Sequence, residues 1–158
     1  MIICKTPFRV SFFGGGTDLP SWLKNNNGHV ISTSINKYGY ILFRQSNGIS
    51  NAKFTIRYYL NEQTNNINKV KHPVVRECLK YYKMTNKYLN ITYDGDLPSR
   101  SGLGSSSSFS VGLINSIYNL KNKRINKSSL AKEAINFEHK ILREYVGYQD
   151  QIATSYGG

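Results

Sequence analysis

One stretch of the sequence constrains the fold more than any other. Residues 96–120 read DLPSRSGLGSSSSFSVGLINSIYNL, a glycine- and serine-rich loop that leads directly into an apolar segment. The apolar residues of that segment recur at helical spacing, which predicts a helix held against a core. The predicted stripe consists of Phe109, Leu113, Ile117 and Leu120, widened by Val111, Ile114 and Tyr118.

The loop before this helix has the composition of a phosphate-binding site. Gly102 and Gly104 lack a Cβ atom, so the backbone can turn sharply and a bulky anion can approach it closely. The serines at 105–108 are expected to supply helix N-caps and hydroxyl donors. Because free N–H groups and the positive end of the helix dipole meet at such a terminus, we predict a nucleotide-phosphate site here. A serine-rich linker that happens to precede a helix is the alternative, which the loop alone leaves open.

Two well-known phosphate-binding loops do not fit these residues. A P-loop requires a lysine directly after its second glycine, and no lysine follows Gly104. The Rossmann fingerprint requires a third glycine where Ser107 stands, and an acidic residue about 20 positions further on, where Asn122 and Lys123 stand. The predicted phosphate site therefore belongs to neither class.

Composition narrows the classes of protein to which the chain can belong. Its 158 residues match one ordinary domain, and its content of 39% hydrophobic and 13% aromatic residues excludes a mostly disordered chain. The net charge of +12 is compatible with phosphorylated ligands, an acidic membrane surface or nucleic acid. No zinc-ligand spacing, basic helix or RNP-like aromatic pattern accompanies the charge, so a nucleic-acid partner is not expected.

Two further features bear on the environment of the protein. Cys4 and Cys78 lie far apart and share no metal-ligand spacing, so we expect two reduced thiols in the core. The N-terminus reaches Lys5 and Pro7 too soon for a secretory segment, and no apolar run approaches the length of a membrane span. We therefore expect a soluble, cytoplasmic protein without a membrane partner.

Alternating residues predict the strands. They lie at 8–13, 29–34, 38–45, 54–60 and 88–93. In the first of them, Phe8, Val10 and Phe12 are expected to share one face. Asn47-Gly48 is a hairpin signal, and the polar residues 61–68 are predicted to form an exposed loop.

Helical spacing predicts a short helix at 21–24, a helix that begins at Pro73, the helix after the glycine-serine loop, and a last helix. Ser128 or Ser129 is expected to cap that last helix, which should end near Gly147. Strands come first and helices gather afterwards, so we predict an α+β fold. It consists of an antiparallel sheet with helices packed on one face, in a single domain.

Three other features point to chemistry. Gly14-Gly15-Gly16 ends the first strand, which predicts unusual backbone dihedrals or close approach of a ligand. Glu138 lies on the apolar stripe of the last helix, where a carboxylate is costly unless it is paired or bound to a cation. A glutamate at the edge of the stripe, paired with a lysine, is the alternative. Asp150 follows the helix and is either a helix N-cap or a catalytic base.

Taken together, these motifs resemble the GHMP family of small-molecule kinases. Residues 98–106, PSRSGLGSS, resemble the phosphate-binding motif of that family, and residues 9–20, RVSFFGGGTDLP, resemble its N-terminal substrate motif. Residues 147–151, GYQDQ, resemble the segment that carries the catalytic aspartate in its sugar kinases. The triple glycine before Thr-Asp-Leu-Pro, the GYQDQ segment and YGG at 156–158 most resemble the branch that phosphorylates heptose 7-phosphate at the anomeric hydroxyl.

The resemblance implies a role for each matching residue. Asp150 would orient the attacking sugar hydroxyl or accept its proton, and Arg9 would stabilise charge near the transferred phosphoryl group. Ser106 and Glu138 would hold Mg²⁺, a hard ion that prefers oxygen ligands. The sugar or sugar phosphate would be bound by Gly14, Gly15, Gly16, Thr17 and Asp18. The phosphates of ATP would be bound by Pro98, Ser101, Gly102, Leu103, Gly104, Ser105, Ser106 and Ser107. Phosphoryl transfer requires mainly positioning and charge neutralisation, which such a set can supply.

The sequence also departs from the family pattern. Ser107 and Ser108 stand where many members have alanine, and Gly15 stands where galactokinases are acidic, which counts against galactose. Members of the family continue through a C-terminal domain that closes the cleft. We therefore expect residues 1–158 to form the N-terminal, ATP- and substrate-binding domain, which would pair with a missing C-terminal half or with a second copy. A fucose- or galactose-type kinase, a non-catalytic nucleotide-binding remnant and a basic nucleic-acid-binding domain remain as alternatives.

Overall fold

The computed structural model describes residues 1–48, 51–98 and 101–157. Within these ranges the chain forms five strands, five α-helices, one 3₁₀ turn and one π-helical segment. In chain order they are β1 (Ile2–Phe13), α1 (Pro20–Leu23), β2 (Ile31–Ser46), β3 (Phe54–Arg57), β4 (Asn61–Thr64), the 3₁₀ turn (Ile67–Lys69), α2 (Pro73–Tyr81), β5 (Tyr88–Gly95), α3 (Ser105–Leu120), α4 (Lys127–Asn136), the π-helical segment (Phe137–Ile141) and α5 (Gln149–Tyr156). Ser99 and Arg100 of the phosphate-binding motif, and Gly158 of the YGG motif, lie outside the described residues.

The strands form one sheet in the order β1-β2-β5-β3-β4. β1 pairs antiparallel with β2, β2 with β5, and β3 with β4, whereas β3 runs parallel to β5. The predicted α+β fold is confirmed, with the correction that the sheet is mixed. The parallel pair arises because α2 carries the chain from β4 across to the other side of β3, where β5 runs in the same direction.

The core lies between the sheet and α3. This helix packs on β1 and β2, with α2 and α4 beside it, and α5 also contacts β1 and β2. The sheet contributes buried Ile41, Phe43, Leu89 and Ile91, which join Leu113, Ile114 and Ile117 of α3 in one apolar cluster. On the opposite face of the sheet, the paired Ile3 and Leu42 are exposed. The helices therefore cover one face, as predicted.

The start of α3 differs from its prediction. The N-cap is Gly104, in a left-handed conformation with φ 74°, and no side chain caps the helix. The serines at 105–108 are already helical, and the Ser108 N–H donates to Gly104 O at 2.9 Å. The predicted serine cap is wrong because the glycine turn itself delivers the chain into the helix. For α4 the N-cap is Asn126, which accepts from the Ser129 N–H at 2.8 Å, and neither Ser128 nor Ser129 caps it.

Three strand predictions are corrected. The strands predicted at 29–34 and 38–45 form the single strand β2, because β1 pairs with it along both parts. Asn47-Gly48 does not join paired strands, since the neighbours of β2 are β1 and β5. The first half of the predicted loop 61–68 is β4, and its Glu62 is buried. Its carboxylate accepts hydrogen bonds from the Tyr58 hydroxyl at 2.6 Å and the His72 N–H at 3.1 Å, so burial leaves it satisfied.

Three further observations complete the fold. The last predicted helix ends earlier than Gly147, because α4 gives way to the π-helical segment, which ends at Ile141. Cys4 and Cys78 are free and buried, as expected. In the part of the chain that the structure describes, no helix has both the length and the apolar character needed to cross a membrane.

Candidate functional site

An arginine–carboxylate pair lies at the centre of the site. Arg9 Nε donates to Asp150 Oδ1 at 2.7 Å, and Arg9 Nη2 donates to Asp150 Oδ2 at 2.9 Å. Such a two-point pair fixes the orientation of both groups as well as neutralising their charge. Asp150 belongs to the first turn of α5, whose N-cap is Tyr148, so the helix-cap interpretation of Asp150 is wrong. The first and last elements of the chain therefore meet here.

A β-bulge explains why Arg9 can reach this position. The register between β1 and β2 shifts between Pro7 and Arg9, and again between Ser11 and Phe13. As a result Phe8 and Arg9 are both buried although they are adjacent in a strand, while Phe12 is 58% exposed. The prediction that Phe8, Val10 and Phe12 share one face of the strand fails at this point, because Phe8 is buried and Phe12 is exposed. Bulges commonly re-aim side chains beside functional sites.

The same arginine is attached to the glycine-serine loop. Arg9 Nη1 donates to Gly102 O at 2.7 Å, and the Arg9 backbone N–H donates to Leu103 O at 3.0 Å. Gly104 packs directly on the pair, since a Cβ atom there would lie 3.1 Å from Arg9 Cγ and 3.5 Å from Asp150 Oδ2. Its φ of 74° and this contact both require glycine. The loop, Arg9 and Asp150 thus form one unit.

The remaining residues of the loop occupy its rim. Pro98, Ser101 and Gly102 are exposed, and Gly102 has a φ of 75°, as expected for a sharp turn. Ser106 is also exposed, and Leu103 and Ser105 are half-buried. The first N–H groups of a helix have no partner within the helix, so the start of α3 offers donors at this rim. The geometry is that of an anion-binding helix start.

Glu138 lies behind the loop and is almost completely buried, with 1% of its surface exposed. Its Oε2 accepts from the Ser107 hydroxyl at 3.0 Å and from the Gln151 side-chain amide. Burial raises the pKa of Glu138, whereas the hydroxyl and amide groups of Gln151, Ser110 and Ser107 lower it. Glu138 therefore does not lie at the edge of the stripe beside a lysine, which was the alternative interpretation.

The surroundings of Glu138 fit a cation. Its Oε1 is buried and makes no hydrogen bond to the described residues. An unpaired carboxylate oxygen is costly in such a place, and a hard cation such as Mg²⁺ would satisfy it. Among the residues that the structure describes, no group of three or more His, Cys, Asp or Glu side chains could hold a metal alone. The structure brings Ser107 onto Glu138, whereas Ser106 is turned to the surface.

The triple-glycine loop lies on the other side of the ion pair. Gly14 and Gly16 have φ values of 85° and 93°, and a Cβ on Gly14 would overlap His29 O. Thr17 Oγ1 donates to Gly14 O at 2.7 Å, which closes the loop on itself. Asp18 then links this loop to α5, because its Oδ1 accepts from the Gly16 N–H at 3.2 Å and its Oδ2 from the Gln149 N–H at 2.9 Å.

The ion pair and the triple-glycine loop border an open cleft of about 390 Å³. Its lining includes both predicted catalytic residues, Arg9 and Asp150, and three of the five predicted sugar-binding residues, Gly15, Gly16 and Asp18. The other two, Gly14 and Thr17, are not among the lining residues. Ser11 and Gln149 also line it, and the sequence did not single them out. The available signal was their position, because Ser11 follows Arg9 by two residues on β1 and Gln149 lies next to Asp150 in the GYQDQ segment.

The arrangement combines a glycine-rich helix start that offers backbone donors, a carboxylate held by an arginine and an adjoining cleft, and these groups are suited to phosphoryl transfer. Residues 68–158 match the family model described as the GHMP kinases N terminal domain. The chain therefore belongs to the GHMP kinase family.

The chain is similar to two curated sugar kinases. The chain is 30% identical to the D-glycero-alpha-D-manno-heptose 7-phosphate kinase of Campylobacter jejuni over 164 residues, which cover 98% of this chain and 48% of that protein. It is also 30% identical to the galactokinase of Pyrococcus furiosus over 166 residues, which cover 99% of this chain and 44% of that protein.

A solved structure shows the same fold. The D-glycero-D-manno-heptose 1-phosphate kinase of Bacteroides thetaiotaomicron superposes with a TM-score of 0.85 at 24% identity, over 100% of this chain and 54% of that one. The chain thus spans about half the length of the curated relatives that it matches.

Proposed function

We propose that this chain is the N-terminal, ATP- and substrate-binding domain of a sugar kinase, which transfers the γ-phosphoryl group of ATP to the anomeric hydroxyl of a heptose 7-phosphate. The observation that carries the proposal is the Arg9–Asp150 pair, which is bonded to the glycine-serine loop on one side and lines the cleft on the other. The heptose phosphate is favoured because both a curated relative and a solved structure of the same fold are named as heptose phosphate kinases.

Each residue contributes to one in-line displacement. The sugar oxygen forms a bond to the γ-phosphorus while the bond from that phosphorus to the β-bridging oxygen breaks, and ADP leaves. Asp150 orients the attacking hydroxyl and accepts its proton. Arg9 supplies positive charge beside the transferred group, and the N–H groups at the start of α3 bind the phosphate oxygens of ATP.

Two side chains are proposed to hold Mg²⁺, Glu138 from behind the loop and Ser106 from its rim. When bound, the ion would neutralise charge on the nucleotide phosphates. Ser107 and Gln151 hold the Glu138 carboxylate through Oε2, which leaves Oε1 available.

The proposal extends to the setting of the protein. The chain would act with a C-terminal half that closes the cleft, or in a homo-oligomer, and its partners would be the nucleotide and the sugar phosphate rather than nucleic acid or membrane. ATP and sugar phosphates are cytoplasmic compounds, so we propose a cytoplasmic location.

The test is a substrate panel. The polypeptide encoded by the gene that contains these 158 residues is incubated with ATP, Mg²⁺ and either heptose 7-phosphate, heptose, galactose or fucose, and ADP release is measured. We expect release with heptose 7-phosphate, and a loss of at least about 100-fold in Asp150→Asn, which keeps the shape of the side chain but cannot accept the proton.

Other results would change the assignment in defined ways. Faster turnover of galactose or fucose would replace the proposed acceptor. Mg²⁺-dependent nucleotide binding that is lost in Ser106→Ala, without ADP release from any sugar, would indicate a non-catalytic nucleotide-binding protein.

A further inference from the structure

A short chain of hydrogen bonds leads from β1 to the Asp150 carboxylate. The Ser11 hydroxyl donates to Gln149 Oε1 at 2.8 Å. The amide group of the same Gln149 side chain donates through Nε2 to Asp150 Oδ1 at 3.2 Å. Two uncharged side chains, which the sequence did not single out, therefore reach the proposed catalytic carboxylate in series.

Gln149 is held at both of its ends. Its backbone N–H donates to Asp18 Oδ2 at 2.9 Å, so the main chain is attached to the triple-glycine loop. The Asp150 carboxylate only accepts, so it requires the Nε2 end of the amide, and the Ser11 hydroxyl donates to the Oε1 end. A flipped amide would place its oxygen against a carboxylate oxygen, which is repulsive. Ser11 thus holds the amide in the orientation that Asp150 requires.

The result is an asymmetric carboxylate. Asp150 Oδ1 accepts from Arg9 Nε at 2.7 Å and from Gln149 Nε2, and Arg9 Nη2 lies 2.7 Å from the same oxygen. Oδ2 accepts only from Arg9 Nη2, at 2.9 Å, among the described residues. Oδ2 is also the oxygen that faces the glycine-serine loop, since it lies 3.5 Å from the position of a Cβ on Gly104. Oδ1 therefore accepts from two residues, Arg9 and Gln149. Oδ2 faces the proposed phosphate site and has a lone pair free to accept a further proton donor.

We propose that Ser11 and Gln149 are positioning residues, which engage Oδ1 of Asp150 so that Oδ2 receives the sugar hydroxyl. The inference rests on the proposed function, because it assigns the oxygen that takes the proton in that reaction. Neither residue needs to contact the reacting atoms. Gln149 acts on Asp150 directly, and Ser11 acts on Asp150 only through Gln149. The effect of a Ser11 substitution on turnover should therefore disappear when Gln149 is removed.

The test compares side chains of the same shape. Ser11→Thr keeps the hydroxyl, Ser11→Val replaces it with a methyl group, and Gln149→Leu removes the amide. We expect Ser11→Val and Gln149→Leu each to lower kcat about tenfold, the effect of one hydrogen bond to a charged group. Ser11→Thr, which keeps the hydroxyl, should recover most of the kcat that Ser11→Val loses. The KM for ATP should stay within about twofold of the wild type, because both side chains line the sugar cleft and neither is bonded to the described part of the glycine-serine loop. The double variant should lose no more than Gln149→Leu alone.

A matched control comes from the other end of α5. The Ser34 hydroxyl of β2 donates to Ala153 O at 3.1 Å, so Ser34→Val removes a similar strand-to-helix hydrogen bond away from Asp150. Its kcat should equal that of the wild type. Equal kcat for Ser11→Val and Ser11→Thr, or losses that multiply in the double variant, would overturn the inference.

A second measurement does not require turnover. The side-chain amide protons of Gln149, observed by NMR, should be protected from exchange in the wild type and in Ser11→Thr, and should lose that protection in Ser11→Val. An inactive wild type with protected amide protons would contradict the proposed function and leave the positioning contact standing. Rapid exchange of these protons in the wild type would contradict the positioning contact itself.

Discussion

Arg9 shows how a single irregularity in a strand can build a site. Strict alternation along β1 would place Phe8 and Arg9 on opposite faces of the sheet, and one of them would face solvent. The register shift after Pro7 lets both be buried, so the guanidinium meets Asp150 and the Gly102 carbonyl while Phe8 stays in the interior. The consequence is a positive charge that donates a hydrogen bond from each of its three nitrogens and is held against the loop.

Gly15 is the glycine of its triplet that the fold itself does not require. Gly14 and Gly16 have positive φ values, whereas a Cβ on Gly15 would find only Ser11 Oγ, at 3.8 Å. Because Gly15 lines the cleft, a side chain there would occupy space that the substrate uses. We predict that Gly15→Ala leaves the free energy of unfolding unchanged or raises it by about 0.5 kcal/mol, and raises the KM for the sugar but not for ATP.

The control for this prediction is Gly16→Ala. Gly16 has a φ of 93°, which is unfavourable for a residue with a Cβ atom, so this variant should lose about 1 kcal/mol or more of stability. This loss is expected even though nothing lies within 4 Å of the Cβ position. Denaturant unfolding and steady-state kinetics measure both effects. An unchanged sugar KM in Gly15→Ala would show that the substrate does not approach this glycine.

At the scale of elements, α2 begins against an aromatic cluster. Its N-cap residue, His72, contacts the ring of Tyr58 in an edge-on arrangement at 4.8 Å and the ring of Phe109 at the same centroid distance. His72 Nδ1 is buried and has no partner among the described residues. Burial lowers the pKa of His72, while the nearby Glu62 carboxylate acts in the opposite direction. The start of α2 is therefore packed around an uncharged imidazole.

This packing predicts a pH-dependent stability. The imidazole takes up a proton in the unfolded chain near its ordinary pKa of 6.5, but in the folded chain only at lower pH. His72 therefore does not change the free energy of unfolding above pH 6.5, and it lowers that free energy progressively as the pH falls below 6.5. We expect the free energy of unfolding to fall less between pH 7.5 and 5 in His72→Phe than in the wild type. Denaturant unfolding at the two pH values measures this difference, and an equal fall in His72→Phe and in the wild type would contradict the prediction.

At the scale of the whole molecule, a buried polar layer joins parts that are distant in the chain. Ser107 of α3, Glu138 of the π-helical segment and Gln151 of α5 are all buried and hydrogen-bonded through Glu138. The π-helical segment follows α4 without a break, which turns the Glu138 carboxylate into this layer. The layer lies directly behind the glycine-serine loop and supports it.

Glu138 therefore has separable structural and functional roles. Glu138→Gln keeps the shape and the acceptor for Ser107 but removes a buried charge, so we predict a stability equal to the wild type or higher by on the order of 1 kcal/mol. Glu138→Ala should lose about 2 kcal/mol or more, because Ser107 and Gln151 are left unpaired. Both variants should lose the increase in ATP affinity that Mg²⁺ provides, as measured by calorimetry with and without the ion.

The control here is Glu77→Gln, at a surface glutamate paired with Arg76 and Lys80. It should change stability by less than about 1 kcal/mol and leave the Mg²⁺ effect intact. Glu138→Gln with wild-type Mg²⁺ dependence would remove Glu138 from the proposed metal site.

Local chemistry determined the elements that the sequence could predict. The apolar stripes of α2 and α3 recur at helical spacing, Leu89 and Ile91 alternate in β5, and the glycines at 102 and 104 mark a turn at the helix start, all confirmed by the structure. The motifs at residues 9–20, 98–106 and 147–151 identified the family, because their chemistry depends on residue types at short spacing.

Only the tertiary structure decided what depends on contacts between distant residues. The insertion of β5 between β2 and β3, the strand at Asn61–Thr64 and the bulge beside Arg9 follow from pairing partners that no local pattern specifies. The same holds for the 2.7 Å bond between Arg9 and Asp150, the burial of Glu138 against Ser107, and the place of Gln149 between Ser11 and Asp18. Arg9 and Asp150 are 141 residues apart, and sequence order says nothing about their distance in space. The sequence therefore identified the residues of the site, and the packing of α5 against β1 brings them together.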